Sequence, residues 1–388
     1  MGRREYLRAI YGRYRRSSAA KKSLILDEFC RVCGYHRKYA IRLLNGPRLP
    51  LPSGLRRGRG PSYGREVLQA LTLVWEAAGY PWSVRLKALL PLWLPWLRQR
   101  RALSRATEQQ LLAISPRQID RRLRLRKRQL RRRLYGRTKP GTLLKHHIPI
   151  KTDRWDVSAP GFTEIDLVSH SGDCADGTFA HSFNLTDIHT TWTETCAVLG
   201  KGETGIVAGL EQMRQTLPFR LQGIDSDNGS EFLNYHLVRY CRTHQIQFTR
   251  GRPYHKDDNA HIEQKNWTHV RKLIGWDRYD SAAAVGLLND LYRHELRLMM
   301  NLFQPSVRLL RKERVGSRLK RIYDAPQTPL DRLQTWPGAN RARVTELLRL
   351  RATTDPFQLA QTIERKLERI YDLANRRPGA ARVTSQTA

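Results

Sequence analysis

Three acidic residues stand where their spacing could build a metal-dependent phosphoryl-transfer site. Asp227 lies in Ser226-Asp227-Asn228-Gly229, where an apolar strand end, Gly223 to Asp225, runs into a polar turn. An acid there stands at a strand's carboxyl end, where open α/β sheets gather their sites. Glu263 follows in a polar loop that opens a helix, with 35 residues between it and Asp227. Asp166 sits 61 positions before Asp227, in the middle of the apolar run Ile165-Asp166-Leu167-Val168. Carboxylates delivered by two strands and a helix supply the hard oxygen ligands that Mg²⁺ prefers, with coordination positions left for phosphate and water. Taken singly, Asp166 also reads as a hydrogen-bonded strand acid, Asp227 as an ordinary turn residue and Glu263 as a helix-start residue.

The elements that must position these acids follow from hydrophobic periodicity. Strands are expected over 163–169, 178–187 and 191–199, then a helix over 203–216, a strand over 220–225, a helix over 234–244, a strand over 246–250 and a helix over 259–275. Three consecutive strands followed by α/β alternation predict a mixed five-stranded sheet covered by helices. Asp225, Asp187, Asp257 and Asp258 lie close by in sequence, and Asp225 reads as an outer or structural acid.

The stretches Ser226-Asp227-Asn228-Gly229-Ser230-Glu231-Phe232 and Asn259-Ala260-His261-Ile262-Glu263-Gln264-Lys265-Asn266 resemble the catalytic core of bacterial insertion-sequence DDE transposases and retroviral integrases. The resemblance covers residues 152–280 well and the flanks loosely. It implies a ribonuclease-H-like α/β core, with Asp166, Asp227 and Glu263 as the catalytic triad and metal ligands. Two Mg²⁺ ions, with Mn²⁺ able to substitute, would lie about 3.5–4 Å apart. The implied reaction is 3′-end processing followed by strand transfer, with no side-chain nucleophile.

Composition points to the same partner. The net charge is +35 over 388 residues, with 36 Lys and Arg against 7 Asp and Glu in residues 1–150 but 14 against 18 in residues 151–280. Such a lopsided surplus calls for a polyanion, and double-stranded DNA is the natural one. No long apolar run or signal-peptide region suggests a membrane, and nothing points to a small-molecule substrate. Five scattered cysteines fit a reducing cytoplasm, here the bacterial nucleoid.

Residues 1–60 read as a first helix-turn-helix: Leu24, Ile25 and Phe29 on one helix, a turn at Cys33-Gly34-Tyr35, and a second helix over 36–45. In that second helix Ala40, Ile41 and Leu44 are expected inside, and Arg37, Lys38 and Arg42 on the DNA. Cys30 and Cys33 near His36 lack the partners that a zinc site needs. Residues 61–150 read as a second helical unit. Its arginine-rich helix from Arg117 to about Arg133 buries Ile119, Leu123 and Leu130 and offers Arg117, Arg121, Arg124 and Arg128 to DNA. Within the core, Lys265 and Lys272 are further candidates for gripping the DNA end, a solvated helix face being the alternative. Residues 281–388 read as a mostly helical extension with a basic stretch over 308–321, a linker over 324–329 and no strand-rich pattern.

Two other functions compete: a DNA-binding regulator or domesticated transposase without strand transfer, and a plain ribonuclease-H-like nuclease. The three acids weigh against the first and the basic helical units against the second. Joining two element ends implies a homo-oligomer on DNA.

Overall fold

The computed structural model describes residues 2–47, 63–129, 159–226, 235–250, 265–315 and 318–375. The chain divides into two compact units, Met1–Ser62 and Tyr63–Ala388.

The first unit holds α1 (Arg3–Arg16), α2 (Ala19–Cys33) and α3 (Arg37–Asn45). Leu7, Ile10 and Tyr14 of α1 meet Ile25, Leu26, Phe29 and Cys33 of α2 and Ala40 and Leu44 of α3. Gly34 ends α2 in the left-handed conformation at φ 66°, which only glycine adopts without cost. Two expected core residues lie outside: Leu24 is 70% exposed and Ile41 38%. The helical period explains both, since one residue off the buried stripe is a rotation of about 100°. Leu26 takes the place expected of Leu24.

The second unit is built on a sheet of β1 (Phe162–Ser169), β2 (Ala180–Asp187), β3 (Thr193–Leu199), β4 (Gly223–Ser226) and β5 (Gln247–Arg250), in the order β3-β2-β1-β4-β5. The hairpin-connected strands β1, β2 and β3 are antiparallel, while β4 and β5 run parallel to β1. This is the mixed five-stranded sheet expected, and it fits a ribonuclease-H-like core. β2 is buried at every position, so both faces of the sheet are covered there. One cover is α8 (Glu203–Thr216), which packs on β3. Its Gly209 allows close approach, because a Cβ there would stand 2.8 Å from Cys196 Sγ. α9 (Tyr235–Thr243) packs on α8.

Helices α4 (Arg65–Ala77), α5 (Ser83–Arg100), α6 (Arg105–Ala113) and α7 (Pro116–Gln129) share one hydrophobic core with the sheet and with the C-terminal helices. Ser83–Arg100, which carries Trp93 and Trp96, is a continuous helix, α5, despite Pro91 and Pro95 inside it. Burial of Leu86, Leu89, Leu90, Trp93 and Leu97 outweighs the backbone hydrogen bonds that the prolines remove. Trp93 meets Phe357 edge to face at 4.9 Å, tying α5 to the C-terminal region.

After β5, the described chain resumes in a π-helical segment, Asn266–Arg271, continued by α10 (Lys272–Ile274). Next come α11 (Ala282–Leu291), two more π-helical segments, Tyr292–Leu296 and Met299–Phe303, and strands β6 (Leu309–Val315) and β7 (Arg318–Tyr323). Helices α12 (Pro329–Thr335), α13 (Arg341–Thr353) and α14 (Pro356–Asp372) complete the unit. The C-terminal region is thus mostly helical, but the stretch that showed no strand pattern forms an antiparallel hairpin, β6–β7. Its basic residues hide the apolar alternation by which strands are read. The expected linker runs into α12, whose start is fixed by a capping box between Thr328 and Asp331. Among the described residues no helix is long and apolar enough to cross a membrane.

Candidate active site

Asp166 sits in β1, directly opposite Asn184 of β2, which in turn stands opposite Thr195 of β3. The register therefore lays a polar row across three strands. Side-chain hydrogen bonds join it: Thr195 Oγ1 donates to Asn184 Oδ1 at 2.8 Å, and Asn184 Nδ2 donates to Asn266 Oδ1 at 2.5 Å. Asn266 Nδ2 then donates to Asp166 Oδ2 at 2.5 Å. The other carboxylate oxygen, Oδ1, accepts from the Leu167 N–H at 2.7 Å. Asp166 is half-buried, so its carboxylate is oriented by protein donors and still within reach of an incoming group. Each oxygen keeps lone pairs for a cation, and the donor set is the hard one that Mg²⁺ takes.

Asp227 and Glu263 lie outside the described residues. Their sequence neighbours do not. β4 ends at Ser226, paired with Ile165 of β1, one residue before Asp227. Lys265 and Asn266 follow Glu263 by two and three residues, and Asn266 is the residue bonded to Asp166. Among the described residues no three metal-ligating side chains converge. Asn259, His261, Asp257, Asp258 and Lys256 also fall outside them.

The neighbouring acids have structural roles. Asp225 is fully buried and accepts a hydrogen bond from Thr249 Oγ1 at 2.5 Å. Asp187 is fully buried too, and accepts from the Gly161 N–H and from both the N–H and the hydroxyl of Thr190. Burial raises the Asp187 pKa, and those donors oppose the rise.

The helix after Glu263 carries a buried lysine. Lys265 is only 6% exposed, and burial, aided by Arg85 and Arg332, lowers its pKa well below that of a free lysine. His269, one turn on, is also buried, and burial beside Lys265 and Arg85 lowers its pKa. Lys265 thus lies inside the fold rather than on a solvated helix face. Lys272 is exposed and donates to the Gly79 carbonyl at the α4–α5 turn. Arg271 stacks on Trp276 at 4.0 Å and donates to the Ser169 carbonyl at 2.7 Å, binding the helix to the end of β1.

No family model matches the chain. It is 42% identical over 337 residues to y4rM, an uncharacterized protein of Sinorhizobium fredii, with 85% of this chain and 94% of that protein covered. The chain belongs to the y4rM family. Its fold is similar to the catalytic core domain of BIV integrase, at a TM-score of 0.30 and 15% identity over 45% of this chain and 93% of that one. It is similar to the HTLV-2 integrase catalytic core domain in complex with magnesium, at 0.29 and 12% over 38% and 90%. A third likeness is to a chain of the simian T-cell lymphotropic virus intasome in complex with PP2A regulatory subunit B56 gamma, at 0.26 and 14% over 46% and 58%.

The basic residues expected on DNA divide by environment. On α3, Arg37, Lys38 and Arg42 are all exposed. Arg37 pairs with Asp27 of α2, and Arg42 lies over the Tyr39 ring at 5.0 Å. His36 caps α3, its Nδ1 accepting from the Lys38 N–H, and Cys33 is buried at the end of α2. On α7, Ile119 and Leu123 are fully buried while Arg117, Arg121 and Arg124 are exposed, and Arg128 lies on the same helix. Neighbouring basic groups there are paired, Arg126 with Glu76 and Lys127 with Asp120. Leu130 lies outside the described residues.

The hydrogen-bonded chain from Thr195 through Asn184 and Asn266 to the Asp166 carboxylate was not legible in the sequence. No signal singled Asn184 out: it is one of five polar or charged residues among the eight buried positions of β2, beside His181, Ser182, Thr186 and Asp187. Its partner became identifiable only once the β1–β2 register was known.

Proposed function

We propose that this protein is a DDE-type transposase, which binds the ends of a mobile DNA element and catalyses their cleavage and strand transfer. The observation that carries this reading is the placement of Asp166. It lies in β1 beside parallel β4, which stops one residue short of Asp227, and it is hydrogen-bonded to Asn266, three residues after Glu263. Chain positions flanking all three acids therefore converge on one part of the sheet.

Asp166, Asp227 and Glu263 would hold two Mg²⁺ ions, with Mn²⁺ able to substitute. Bound there, the ions would supply Lewis-acid activation of water or a 3′-hydroxyl and charge neutralisation at the leaving oxygen. The chain's own part is positional. The Asn184–Asn266 amides fix the Asp166 carboxylate, and strand pairing on both sides of β1 steadies the strand that carries it. Arg117, Arg121, Arg124 and Arg128 of α7 and Arg37, Lys38 and Arg42 of the first unit neutralise DNA phosphates. A homo-oligomer on double-stranded DNA follows from the need to join two ends.

The test is strand transfer with a labelled element-end duplex, a target plasmid and Mg²⁺ or Mn²⁺, comparing wild type with Glu263→Gln. Metal-dependent joined product from wild type alone is the expected result. Tight end binding with no joining in either protein would replace this reading with a DNA-binding regulator.

A further inference from the structure

The β6–β7 hairpin carries Arg311, Lys312, Arg314, Arg318, Lys320 and Arg321 against a single acid, Glu313. Its register sets Lys312 directly opposite Arg321, and Glu313 opposite Lys320. Like charges in opposing positions destabilise a ladder unless something neutralises them, and a two-stranded ribbon in isolation is marginal. Arg314 and Lys320 are exposed. The irregularity between Leu309 and Arg311 puts a bulge at the foot of the ribbon, the kind of feature that adds local twist.

The base of this ribbon is fixed firmly. Asp324 Oδ1 accepts from the Arg308 N–H at 2.6 Å, and Asp324 N–H donates back to the Arg308 carbonyl at 3.0 Å. Arg332, 4% exposed, donates to the Ser306 carbonyl at 2.6 Å and to Thr191 Oγ1 at 3.0 Å, and pairs with Asp324. Thr191 belongs to the β2–β3 turn, so the foot of the ribbon is locked to the catalytic sheet. A short basic ribbon with one like-charged rung, Lys312 opposite Arg321, and held at its base by the buried Arg332, is suited to a fixed polyanion of matching width.

We infer that the β6–β7 ribbon is a DNA-binding arm that lies in a groove of duplex DNA. The B-form major groove, about 12 Å wide, admits a two-stranded ribbon. Phosphates along its walls neutralise the opposed Lys312 and Arg321, and the anchored base fixes the duplex relative to the sheet. The inference rests on the transposase reading only in taking duplex DNA as the partner.

The experiment uses full-length protein, a fluorescent element-end duplex and a salt titration. Wild type is compared with Lys312→Gln/Arg314→Gln/Arg318→Gln/Lys320→Gln/Arg321→Gln and with Asp173→Asn, an exposed acid outside the proposed machinery, and circular dichroism checks that each is folded. Each lost phosphate contact flattens the slope of log affinity against log salt by about 0.9. The ribbon variant is expected to bind at least tenfold more weakly at 0.1 M salt, with a slope reduced by about 2–4. Asp173→Asn should bind like wild type. An unchanged slope and affinity in the ribbon variant would overturn the inference, whether or not the wild type joins DNA ends. Ribbon-dependent binding by a wild type that joins no ends would uphold it and remove the transposase reading instead. Displacement of the duplex by phosphatidylglycerol vesicles at lower phosphate concentration than by competitor DNA would also overturn it. If the variant proves misfolded, the single changes Lys312→Gln and Lys320→Gln serve, each expected to lower the slope by about 1.

Discussion

Asn266 donates from Nδ2 to Asp166 Oδ2 at 2.5 Å, although the two residues are 100 positions apart in the chain. The bond fastens the helix after Glu263 to the central strand that carries the first acid. It is backed by Asn184, whose Nδ2 donates to Asn266 Oδ1, and by Thr195, which donates to Asn184. A carboxylate held by such a chain loses less orientational freedom when a metal binds, so the chain is expected to act through metal affinity more than through folding.

Asn266→Ala should therefore lower strand transfer by about 10–100-fold and raise the Mg²⁺ concentration needed for half-maximal activity. Asn184→Ala should do the same more weakly. The double variant should cost less than the product of the two, because both act through one hydrogen-bonded chain. Strictly multiplicative effects on activity would show that the two amides work independently.

Glu194 and Arg297 form an ion pair at 2.8 Å that is nearly closed to solvent, with side-chain exposures of 5% and 13%. Trp192 Nε1 donates to the same carboxylate at 2.7 Å. Arg297→Met leaves the buried carboxylate without its cation and should cost about 3–5 kcal/mol in urea unfolding. Glu194→Met in the same chain should restore much of that loss. A single variant within about 0.5 kcal/mol of wild type would mean that water reaches the pair.

His170 is fully buried, with Nε2 2.7 Å from Ser182 Oγ, and Ser182 in turn contacts the Tyr292 hydroxyl at 2.6 Å. Burial, with the charges of Arg271 and His181 adding to it, pushes the His170 pKa down to about 3. The folded value lies below the unfolded one of about 6.5, so the unfolded chain binds the proton more readily. Stability from this residue is present above pH 6.5 and is lost as pH falls toward 3, by about 2 kcal/mol at pH 5 relative to neutral pH. Urea titrations of wild type and His170→Asn at pH 7 and pH 5 should show that much less pH dependence in the variant. Equal dependence in both would place the titration on another group.

Much of the five-stranded sheet was legible because its strands alternate or run apolar and its turns are glycine- or aspartate-bounded. β1, β2, β3, α8 and β5 fall within two residues of their expected ranges. The rest was hidden for physical reasons. Pro91 and Pro95 masked α5, since proline ends most helices and only tertiary burial rescued this one. The charge of Arg311 to Arg321 masked a hairpin whose pairing depends on register rather than on apolar alternation. The π-helical segments at Asn266–Arg271, Tyr292–Leu296 and Met299–Phe303 have wider turns than the 3.6-residue period used to read helices. At the site, the acids were found by residue type and spacing, whereas Asn184 and Thr195 needed the strand register. Burial of Lys265 needed the helix to be docked.

The central claim is that Asp166, Asp227 and Glu263 form one metal centre, and its most direct measurement is Mn²⁺ binding to the full chain with an element-end duplex, followed by electron paramagnetic resonance. Asp166→Asn, Asp227→Asn and Glu263→Gln are compared with wild type and with Asp173→Asn, an exposed acid. Wild type and Asp173→Asn should bind two ions per chain, and each triad variant should lose at least one of them together with strand transfer. Full Mn²⁺ occupancy in all three triad variants would contradict the claim.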